Sequence, residues 1–305
     1  MRQEARVKAH ASAANLGPGF DVFGVALEKL YDVVTARVVE GTSVCINSVK
    51  GYDVPLNPEK NCASVAAEAV LRRGNLPFGV ELDIEKGIKP SGGLGSSASS
   101  AVAAAMATAL LSEREISTEE LILCASEGEK ASCGSAHPDN VAPSLLGGFT
   151  IVRSCMDIVQ IKPPENLGIV LLIPDLRVST RKAREILPEM VELRDVVKNV
   201  RNASALVAGM FSGDIGLIGR SMCDAVVEKA REGMVPWLSK VRAAALESGA
   251  SGCALSGSGP AVIAVFDIRG GNDLAIVRAM GSALNSCDIR GEWLVTAPSE
   301  GAREV

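Results

Sequence analysis

The sequence is poor in the residues that mark several common classes of protein. Only 3% of its 305 residues are aromatic, and it contains two histidines. None of its eight cysteines forms a C-x-x-C pair, and together with the shortage of histidine this disfavours a structural zinc site. We expect the cysteines to be small, buried, apolar residues in a reducing compartment.

Long hydrophobic runs and a strong charge of one sign are also missing. The first residues, Met1 to Glu4, contain no apolar signal region, and the longest apolar run, Ala101 to Leu111, is too short to span a membrane. The net charge of −5, with acid and base interspersed, disfavours a nucleic-acid partner but allows a local positive pocket for an anion. We therefore expect a cytoplasmic enzyme without nucleic-acid or membrane partners, and base rates favour a homodimer.

The sequence does contain strand and helix patterns in both halves, which predict an α+β fold. The length allows two domains, and Pro163-Pro164 is the best linker, so we expect domains at residues 1–162 and 163–305. Strands are expected at 6–11, 32–39, 44–49, 79–85, 148–153, 158–161, 168–173, 261–266 and 292–296. Helices are expected at 61–73, 96–111, 118–133, 180–187, 196–211, 236–248 and 272–285.

The most informative segment is the glycine-serine loop, P-S-G-G-L-G at residues 90–95, between a predicted strand and a predicted helix. Its three glycines let the backbone turn tightly and approach a ligand closely. The following helix N-terminus offers free N–H groups and a partial positive charge to an anion. This predicts a phosphate site, with a flexible loop before a serine-capped helix as the alternative.

Two familiar nucleotide motifs do not fit this segment. The Walker loop needs a Gly-Lys pair, which the sequence does not contain, and G-x-G-x-x-G does not match the run. A second glycine run, S-G-S-G-P at residues 256–260, precedes a predicted strand rather than a helix and so is not a dinucleotide-binding turn. By itself it would be read as a tight turn.

Three motifs in order resemble those of the GHMP kinases, the family of galacto-, homoserine, mevalonate and phosphomevalonate kinases. They are A-A-N-L-G-P-G-F-D at 13–21, P-S-G-G-L-G-S-S-A-S-S at 90–100 and G-A-S-G-C-A-L-S-G-S-G-P at 249–260, and they cover nearly the full chain. The resemblance implies an ATP-binding N-terminal domain like domain 2 of ribosomal protein S5 and a ferredoxin-like C-terminal GHMP kinase domain. It also implies that ATP and Mg²⁺ are the cofactors.

Within that family, G-S-A-H-P-D-N-V-A-P at residues 134–143 resembles the homoserine kinase branch more than any other. This implies phosphorylation of the side-chain hydroxyl of L-homoserine, a step of threonine biosynthesis. The alternatives are another GHMP kinase, of the shikimate or mevalonate type, and a non-catalytic nucleotide or sugar sensor. A complete metal site would argue against the sensor.

The resemblance also assigns residues, position by position. The expected nucleotide-binding residues are Asn61, Pro90, Ser91, Gly92, Gly93, Leu94, Gly95, Ser96, Ser97, Ala98, Ser99 and Ser100. For Asn61, capping of the helix that follows is a competing explanation. Ser97 and Glu129 match the family's Mg²⁺ positions, with a surface charge cluster as the alternative for Glu129.

The expected substrate-binding residues are Asn15, Asp21, His137, Asp139, Asn140, Thr180, Arg184 and Arg231. An arginine fork suits the substrate carboxylate, although Arg181 or Lys182 could replace Arg184. The expected catalytic residues are Asn140, Asp139 and Arg231. Because the homoserine branch carries Asn where relatives place an aspartate base, we expect Asn140 to orient the hydroxyl for direct attack, with Asp139 as base the alternative.

Overall fold

The structure, a computed structural model, describes residues 2–112, 114–134 and 136–305, apart from the side chains of Ser132 and Cys133. Both halves of the chain mix helices and strands, which confirms the α+β class. The strands are β1 Glu4–Asn15, β2 Gly19–Val39, β3 Val44–Gly51, β4 Gly79–Lys86, β5 Phe149–Ser154, β6 Asp157–Ile161, β7 Leu167–Pro174, β8 Gly252–Leu255, β9 Val262–Asp267, β10 Gly291–Thr296 and β11 Arg303–Glu304. The helices are α1 Cys62–Gly74, α2 Ser96–Leu111, α3 Thr118–Cys133, α4 Pro138–Leu146, α5 Thr180–Glu185, α6 Leu193–Ser212, α7 Ile215–Arg220, α8 Val227–Arg231, α9 Leu238–Glu247 and α10 Asp273–Asn285.

The first half is built on a sheet in the order β11-β1-β2-β4-β3, with β5 paired to β2 and β6 to β5. Strands β3 and β4 are parallel and are joined through α1, whereas the other pairs are antiparallel. Helices α1, α2 and α3 pack together beside this sheet. Alanine and serine make up most of α2, and the helix is buried on nearly all sides, so small side chains let its backbone lie close to its neighbours. This is how a core with few aromatic residues is filled.

The first two strands are longer than the sequence pattern predicted, and they bring the N-terminal motif to the site. Strand β1 continues from the expected end at Ala11 to Asn15, and β2 begins at Gly19 rather than at Asp32. The pairing register shifts between His10 and Ala11, so the simple alternation breaks there. That irregularity explains why the pattern missed residues 19–31.

The second half contains a four-stranded antiparallel sheet in the order β10-β7-β9-β8. Numbered within this sheet, the order is 4-1-3-2, the ferredoxin-like arrangement. Residues of α9 and α10 pack on one face of the sheet, and residues of α6 and α7 pack on the other. The sequence did not predict α7, α8 or β8, which have six, five and four residues and are too short for a clear periodic pattern.

The two halves share a core and are joined at more than one point. Leu16 and Leu94 of the first half lie in the same buried cluster as Leu206 and Ile263 of the second. The last strand, β11, returns to pair with β1. The domain boundary between residues 162 and 163 stays a prediction. The last strand, β11, belongs to the sheet of the first half although it follows this boundary in the sequence.

The cysteines differ in exposure. Cys124 and Cys253 are buried, as expected, and burial raises their thiol pKa values, to about 11 and about 12 respectively. Cys45 and Cys223 are exposed, so the expectation of burial is wrong for these two. The side chain of Cys133 lies outside the described part of the chain. Among the described helices, none is both long and apolar enough to cross a bilayer.

Candidate active site

A cavity of about 740 Å³ lies where the two halves meet. Its walls come from the glycine-serine loop, the starts of α1 and α4, the C-terminal part of α3, helices α5 and α8, and the C-terminal glycine loop (residues 256–260). The predicted site residues that line it are Asn15, Asp21, Asn61, Pro90, Ser91, Gly92, Gly93, Leu94, Gly95, Ser96, Ser97, Glu129, His137, Asp139, Asn140, Thr180, Arg184 and Arg231. Residues far apart in sequence thus meet at one site.

Three residues of the predicted nucleotide-binding run, Ala98, Ser99 and Ser100, lie inside the protein and not on the cavity wall. The Ser99 hydroxyl donates to the carbonyl of Ala9 at 2.7 Å, and that of Ser100 donates to Asp32 at 2.7 Å. These hydroxyls anchor α2 to the sheet. A contact of these three residues with the nucleotide stays a prediction, and they do not line the cavity.

The glycine-serine loop places the N-terminus of α2 at the cavity wall. Gly95 is the N-cap residue and has a left-handed conformation with φ of 62°, and no side chain in the described part of the chain caps the helix. A helix N-terminus of this kind can present backbone N–H groups and a partial positive charge to a phosphate.

The second half of the chain holds this loop in place by hydrogen bonds. The carbonyl of Gly92 accepts from the backbone of Ala261 at 3.1 Å, and that of Gly93 accepts from the Ser256 hydroxyl at 2.7 Å. A Cβ on Gly93 would lie 2.7 Å from the carbonyl oxygen of Ser256, so the two glycine-rich loops touch through their backbones. The C-terminal glycine loop thus closes one side of the cavity.

A buried ion pair, missed by the sequence analysis, supports the start of α2. Lys86 ends β4 and pairs with Asp32 of β2, and their side chains are 2% and 0% exposed. The Lys86 ammonium also donates to the Ser96 carbonyl and the Ser100 hydroxyl, each at 2.8 Å. The second oxygen of Asp32 accepts the backbone N–H groups of residues 87 and 88. The pair joins two strands, the loop and the helix at one point.

Glu129 lies on α3 and points its carboxylate into the cavity wall, with 2% of the residue exposed. One oxygen lies 2.8 Å from His137 Nδ1. Burial opposes the charged imidazole, but the hydrogen bond and charge of Glu129 outweigh it and raise the pKa of His137. The other oxygen, Oε1, is buried without a hydrogen-bond partner among the described atoms.

An unpartnered buried carboxylate oxygen fits a bound cation. Ser97 lines the same cavity, and its hydroxyl together with Glu129 offers the hard oxygen ligands that Mg²⁺ prefers. The described residues hold no cluster of three or more His, Cys, Asp and Glu side chains arranged for a metal. A small number of protein ligands is typical of a Mg²⁺ site, because the ion usually keeps several waters and binds substrate phosphates.

The histidine-containing motif, for which the sequence predicted no helix, begins one. His137 is the N-cap of α4, and Asp139 and Asn140 lie in its first turn. Pro at the first helical position is compatible with this because its missing N–H has no helical partner there. Ser135 of the same motif lies outside the described residues.

Asp139 is almost fully buried at the cavity wall. Burial, reinforced by the negative charge of Asp21, raises the pKa of Asp139 to about 6. The carbonyl oxygen of Asn140 accepts from the Ser12 hydroxyl at 3.0 Å, and its amide nitrogen lies 3.4 Å from Asp139 Oδ1. The side chain of Asn140 is thus held from two sides.

The opposite end of the cavity carries Asp21 and two arginines. Arg184 of α5 forms a two-point ion pair with Asp21, with N–O distances of 2.9 and 2.7 Å. Arg231 of α8 is buried and donates to the carbonyls of Ala183 at 3.1 Å and Gly257 at 3.0 Å. Burial, followed by the charge of Arg184, lowers the pKa of Arg231. This end therefore presents both signs of charge.

Two further predicted residues tie this end to the C-terminal glycine loop. Asn15 donates to the Gly257 carbonyl at 2.9 Å and accepts from the backbone N–H of Asp21 at 3.3 Å. The Thr180 hydroxyl lies 3.2 Å from that of Ser258. Gly257 and Ser258 were not predicted as site residues, although the glycine run around them was the available signal.

The neighbours considered in place of Arg184 lie elsewhere. Arg181 is at the rim of the cavity and pairs with Glu185 at 2.9 Å, with its side chain 84% exposed. Lys182 is exposed and does not line the cavity. Of the three basic residues, Arg184 is the one that contacts Asp21.

Asn61 occupies the end of the cavity beside α1, where it caps that helix. Its carbonyl oxygen accepts from the backbone of Ala63 at 3.0 Å and Ser64 at 3.4 Å, and its amide donates to the carbonyl of Pro55 at 2.7 Å. The capping interpretation is therefore correct, and a contact of Asn61 with the nucleotide stays a prediction.

Comparison with known proteins agrees with this fold and site. The family model described as "GHMP kinases N terminal domain" matches residues 61–148, and that described as "GHMP kinases C terminal" matches residues 202–284. Together they cover more than half of the chain, which belongs to the GHMP kinase family and is a phosphotransferase. The two-domain GHMP kinase fold expected from the sequence is confirmed.

Within this family, the chain is similar over nearly its whole length to homoserine kinases. The chain is 40% identical over 299 residues to "Homoserine kinase" of Pyrococcus abyssi, covering 98% of each chain, and 41% identical over 300 residues to that of Halorubrum lacusprofundi, covering 97% of each. A crystal structure of homoserine kinase from Cytophaga hutchinsonii superposes with a TM-score of 0.93 at 37% identity, covering 100% of this chain and 98% of the other. A mevalonate kinase structure from L. major, at 17% identity and a TM-score of 0.75, shares the fold.

Proposed function

We propose that this chain transfers the γ-phosphate of ATP to the side-chain hydroxyl of L-homoserine, giving O-phospho-L-homoserine for threonine biosynthesis. The observation that carries the proposal is the set of charges at the acceptor end of the cavity. Asp21 suits an ammonium group, and Arg184 and Arg231 suit a carboxylate. An amino acid bears both groups on one carbon, whereas mevalonate and shikimate have no ammonium group.

The acceptor would bridge the two halves of the chain. Asp21 and Asn140 belong to the first half, and Thr180, Arg184 and Arg231 belong to the second. All five line the cavity that also contains the glycine-serine loop. Binding both ends of a small molecule holds its hydroxyl in place for in-line attack on a phosphate, and such positioning is the main requirement of phosphoryl transfer.

Asn140 would orient the hydroxyl, and no carboxylate base would be needed. The side chain of Asn140 is already held by Ser12 and points toward the same cavity. Asp139 as base is the alternative, and one observation favours keeping it. Its pKa of about 6 lies near the range in which a general base works at neutral pH.

The phosphates would bind at the N-terminus of α2, with Ser97 and Glu129 holding Mg²⁺. When bound, the metal neutralises charge on the phosphate oxygens. His137 would keep Glu129 in position through its 2.8 Å hydrogen bond. Arg231 would add positive charge near the acceptor. These roles rest on the unpartnered Glu129 oxygen and on the match to the family positions.

A coupled assay of ADP production tests the acceptor. The purified chain with Mg-ATP is given L-homoserine, mevalonate, shikimate, L-serine and L-threonine in parallel. We expect turnover with homoserine that exceeds every other acceptor in kcat/KM. Turnover of mevalonate or shikimate without turnover of homoserine would make the chain another GHMP kinase, and no turnover despite nucleotide binding would favour the sensor. A cytoplasmic location and a homodimer stay predictions.

A further inference from the structure

Phe20 is part of the N-terminal motif, but neither the proposed chemistry nor the assigned substrate contacts use it. It is the second residue of β2 and lines the cavity beside Asp21. Its ring centroid lies 5.4 Å from the guanidinium carbon of Arg184 and 5.5 Å from that of Arg231. Both distances are within the range of a cation–π interaction. One ring therefore contacts both arginines proposed to bind the acceptor carboxylate.

The two arginines are anchored differently. Arg231 is buried and its donors at Nε and Nη1 are bonded to backbone carbonyls. Arg184 comes from a short helix, its side chain is 30% exposed, and its two-point partner is Asp21. The position of Arg184 thus depends on Asp21 far more than that of Arg231 does.

Binding of a zwitterion would change this arrangement. The ammonium group of the acceptor would compete with Arg184 for the Asp21 carboxylate, and the acceptor carboxylate would become the new partner of Arg184. During this exchange the two guanidinium groups also repel each other. The aromatic ring is the neighbour whose attraction to both cations does not depend on Asp21.

We propose that Phe20 is a positioning residue for carboxylate recognition: its ring holds Arg184 and Arg231 in one arrangement while Asp21 exchanges Arg184 for the ammonium group of the acceptor. The inference rests on the proposed function. It makes selectivity for a zwitterionic acceptor depend on a residue without charge. An aliphatic side chain of similar size would fill the space but would not attract the cations.

The test compares Phe20→Leu with Phe20→Tyr and Phe20→Trp, which keep an aromatic face. Binding of three compounds is measured by calorimetry in the presence of a non-hydrolysable ATP analogue: L-homoserine, 4-hydroxybutanoate, which lacks the ammonium group, and 3-aminopropan-1-ol, which lacks the carboxylate. Phe20→Leu should weaken binding of L-homoserine by roughly three- to thirtyfold, the range of cation–π contacts, and that of 4-hydroxybutanoate by less, because Asp21 keeps Arg184 when no ammonium group competes for it. Binding of 3-aminopropan-1-ol and of the ATP analogue should change by less than twofold, and at least one aromatic variant should restore carboxylate binding.

Phe23→Leu is the matched control. Phe23 lies three residues further along the same strand, is 4% exposed and packs edge-on against Phe149 at 5.2 Å. It should lower stability and leave the preference for carboxylates unchanged. Equal weakening of all three compounds by Phe20→Leu, or failure of both aromatic variants to restore carboxylate binding, would overturn the inference. Kinetics of the unaltered chain with homoserine decide the proposed function separately, because the binding comparison with 4-hydroxybutanoate does not require turnover.

Discussion

The two ends of the cavity each contain an ion pair, and these pairs differ in burial. Beneath the glycine-serine loop, Lys86 and Asp32 are 2% and 0% exposed, and further hydrogen bonds satisfy them. At the acceptor end, Arg184 and Asp21 are 30% and 43% exposed. A buried pair is strongly disrupted by loss of one partner, whereas an exposed pair contributes about 0–1 kcal/mol.

This difference suits two different tasks. The nucleotide end needs a fixed backbone, because N–H groups at a helix terminus must face the phosphates whether or not a ligand is present. The acceptor end needs charges that exchange partners, so a weak internal pair is an advantage there. Changes at the nucleotide end should therefore disturb the position of the loop, and changes at the acceptor end should mainly affect affinity and selectivity.

The largest effect is expected from Gly95→Val. Gly95 has φ of 62°, and a Cβ there would overlap the hydroxyl of Ser12 and lie 3.0 Å from Asn140 Oδ1. Left-handed strain and overpacking together amount to about 2–5 kcal/mol. We expect ATP affinity, measured by calorimetry, to fall by about thirtyfold to several thousandfold while far-UV circular dichroism keeps its folded signal.

Gly41→Val provides the matched control. Gly41 also has a positive φ, of 95°, but nothing lies within 4 Å of its would-be Cβ. This variant should carry the backbone strain without the overlap and should bind ATP normally. Normal ATP binding by a folded Gly95→Val protein would show that the loop does not hold the phosphates.

Glu129→Gln tests the metal end of the site. The change keeps the shape of the side chain and removes the negative charge of its carboxylate. That carboxylate includes Oε1, the oxygen without a hydrogen-bond partner among the described atoms. Loss of a preorganised electrostatic group typically lowers kcat by about 10²–10³-fold, which we expect here together with a higher Mg²⁺ requirement. The same substitution at Glu127, on the same helix but paired outward with Arg72 and Arg73, should leave both unchanged. Unchanged kcat across a Mg²⁺ titration in Glu129→Gln would show that Glu129 does not hold the metal, and since it is 2% exposed its role would then be to pair with His137 inside the protein.

Arg231→Leu should act on the acceptor and not on the nucleotide. Loss of a charge-assisted contact costs about 1.5–3 kcal/mol, so KM for homoserine should rise roughly tenfold to more than a hundredfold, with KM for ATP nearly unchanged. Arg181→Leu, at the exposed rim, is the control and should behave like the unaltered chain. Thermal melting must show that the Arg231 variant is folded, since its backbone hydrogen bonds join α8 to α5. If KM rises equally for homoserine and for 3-aminopropan-1-ol, which has no carboxylate, Arg231 does not bind the carboxylate.

Asp139→Asn should have the smallest effect on catalysis and a clear effect on stability. The pKa of Asp139 is about 6 in the folded chain against 3.8 for the free group, so the folded chain binds this proton more tightly. Its carboxylate therefore lowers stability as the pH rises through this window, by up to about 3 kcal/mol. The variant should melt at a higher temperature at pH 7.5, and the difference should shrink as the pH falls toward 4. A loss of kcat below about tenfold would agree with Asn140 as the orienting group, whereas a loss of about 10³-fold would make Asp139 the base.

Much of the nucleotide end could be predicted because its information is local. Glycines and serines between a strand and an alanine-rich helix specify a turn and a free helix terminus within about twenty residues of sequence. The helix that follows begins at Ser96 and ends at Leu111, as predicted. The histidine motif was harder to interpret, because Pro138 and the polar residues after it also fit a loop, and the helix that they begin has nine residues.

The pairings between distant residues could not be predicted in the same way. Lys86 and Asp32 are separated by 54 positions and Arg184 and Asp21 by 163, and no local pattern links either pair. In the sequence Phe20 is an ordinary hydrophobic residue, and the fold places two arginines of the second half against its ring.

Local conformation and the kinds of chemical group available therefore follow from short stretches of this chain: the glycine-rich turns, the main helices, and a supply of carboxylates, amides and guanidinium groups. Which charges are buried together, which remain exchangeable and which oxygen is left without a partner follow from the packing of the two halves. The physical reason is that turn and helix preferences act between near neighbours, whereas burial and ion pairing depend on distances in space that the fold alone sets.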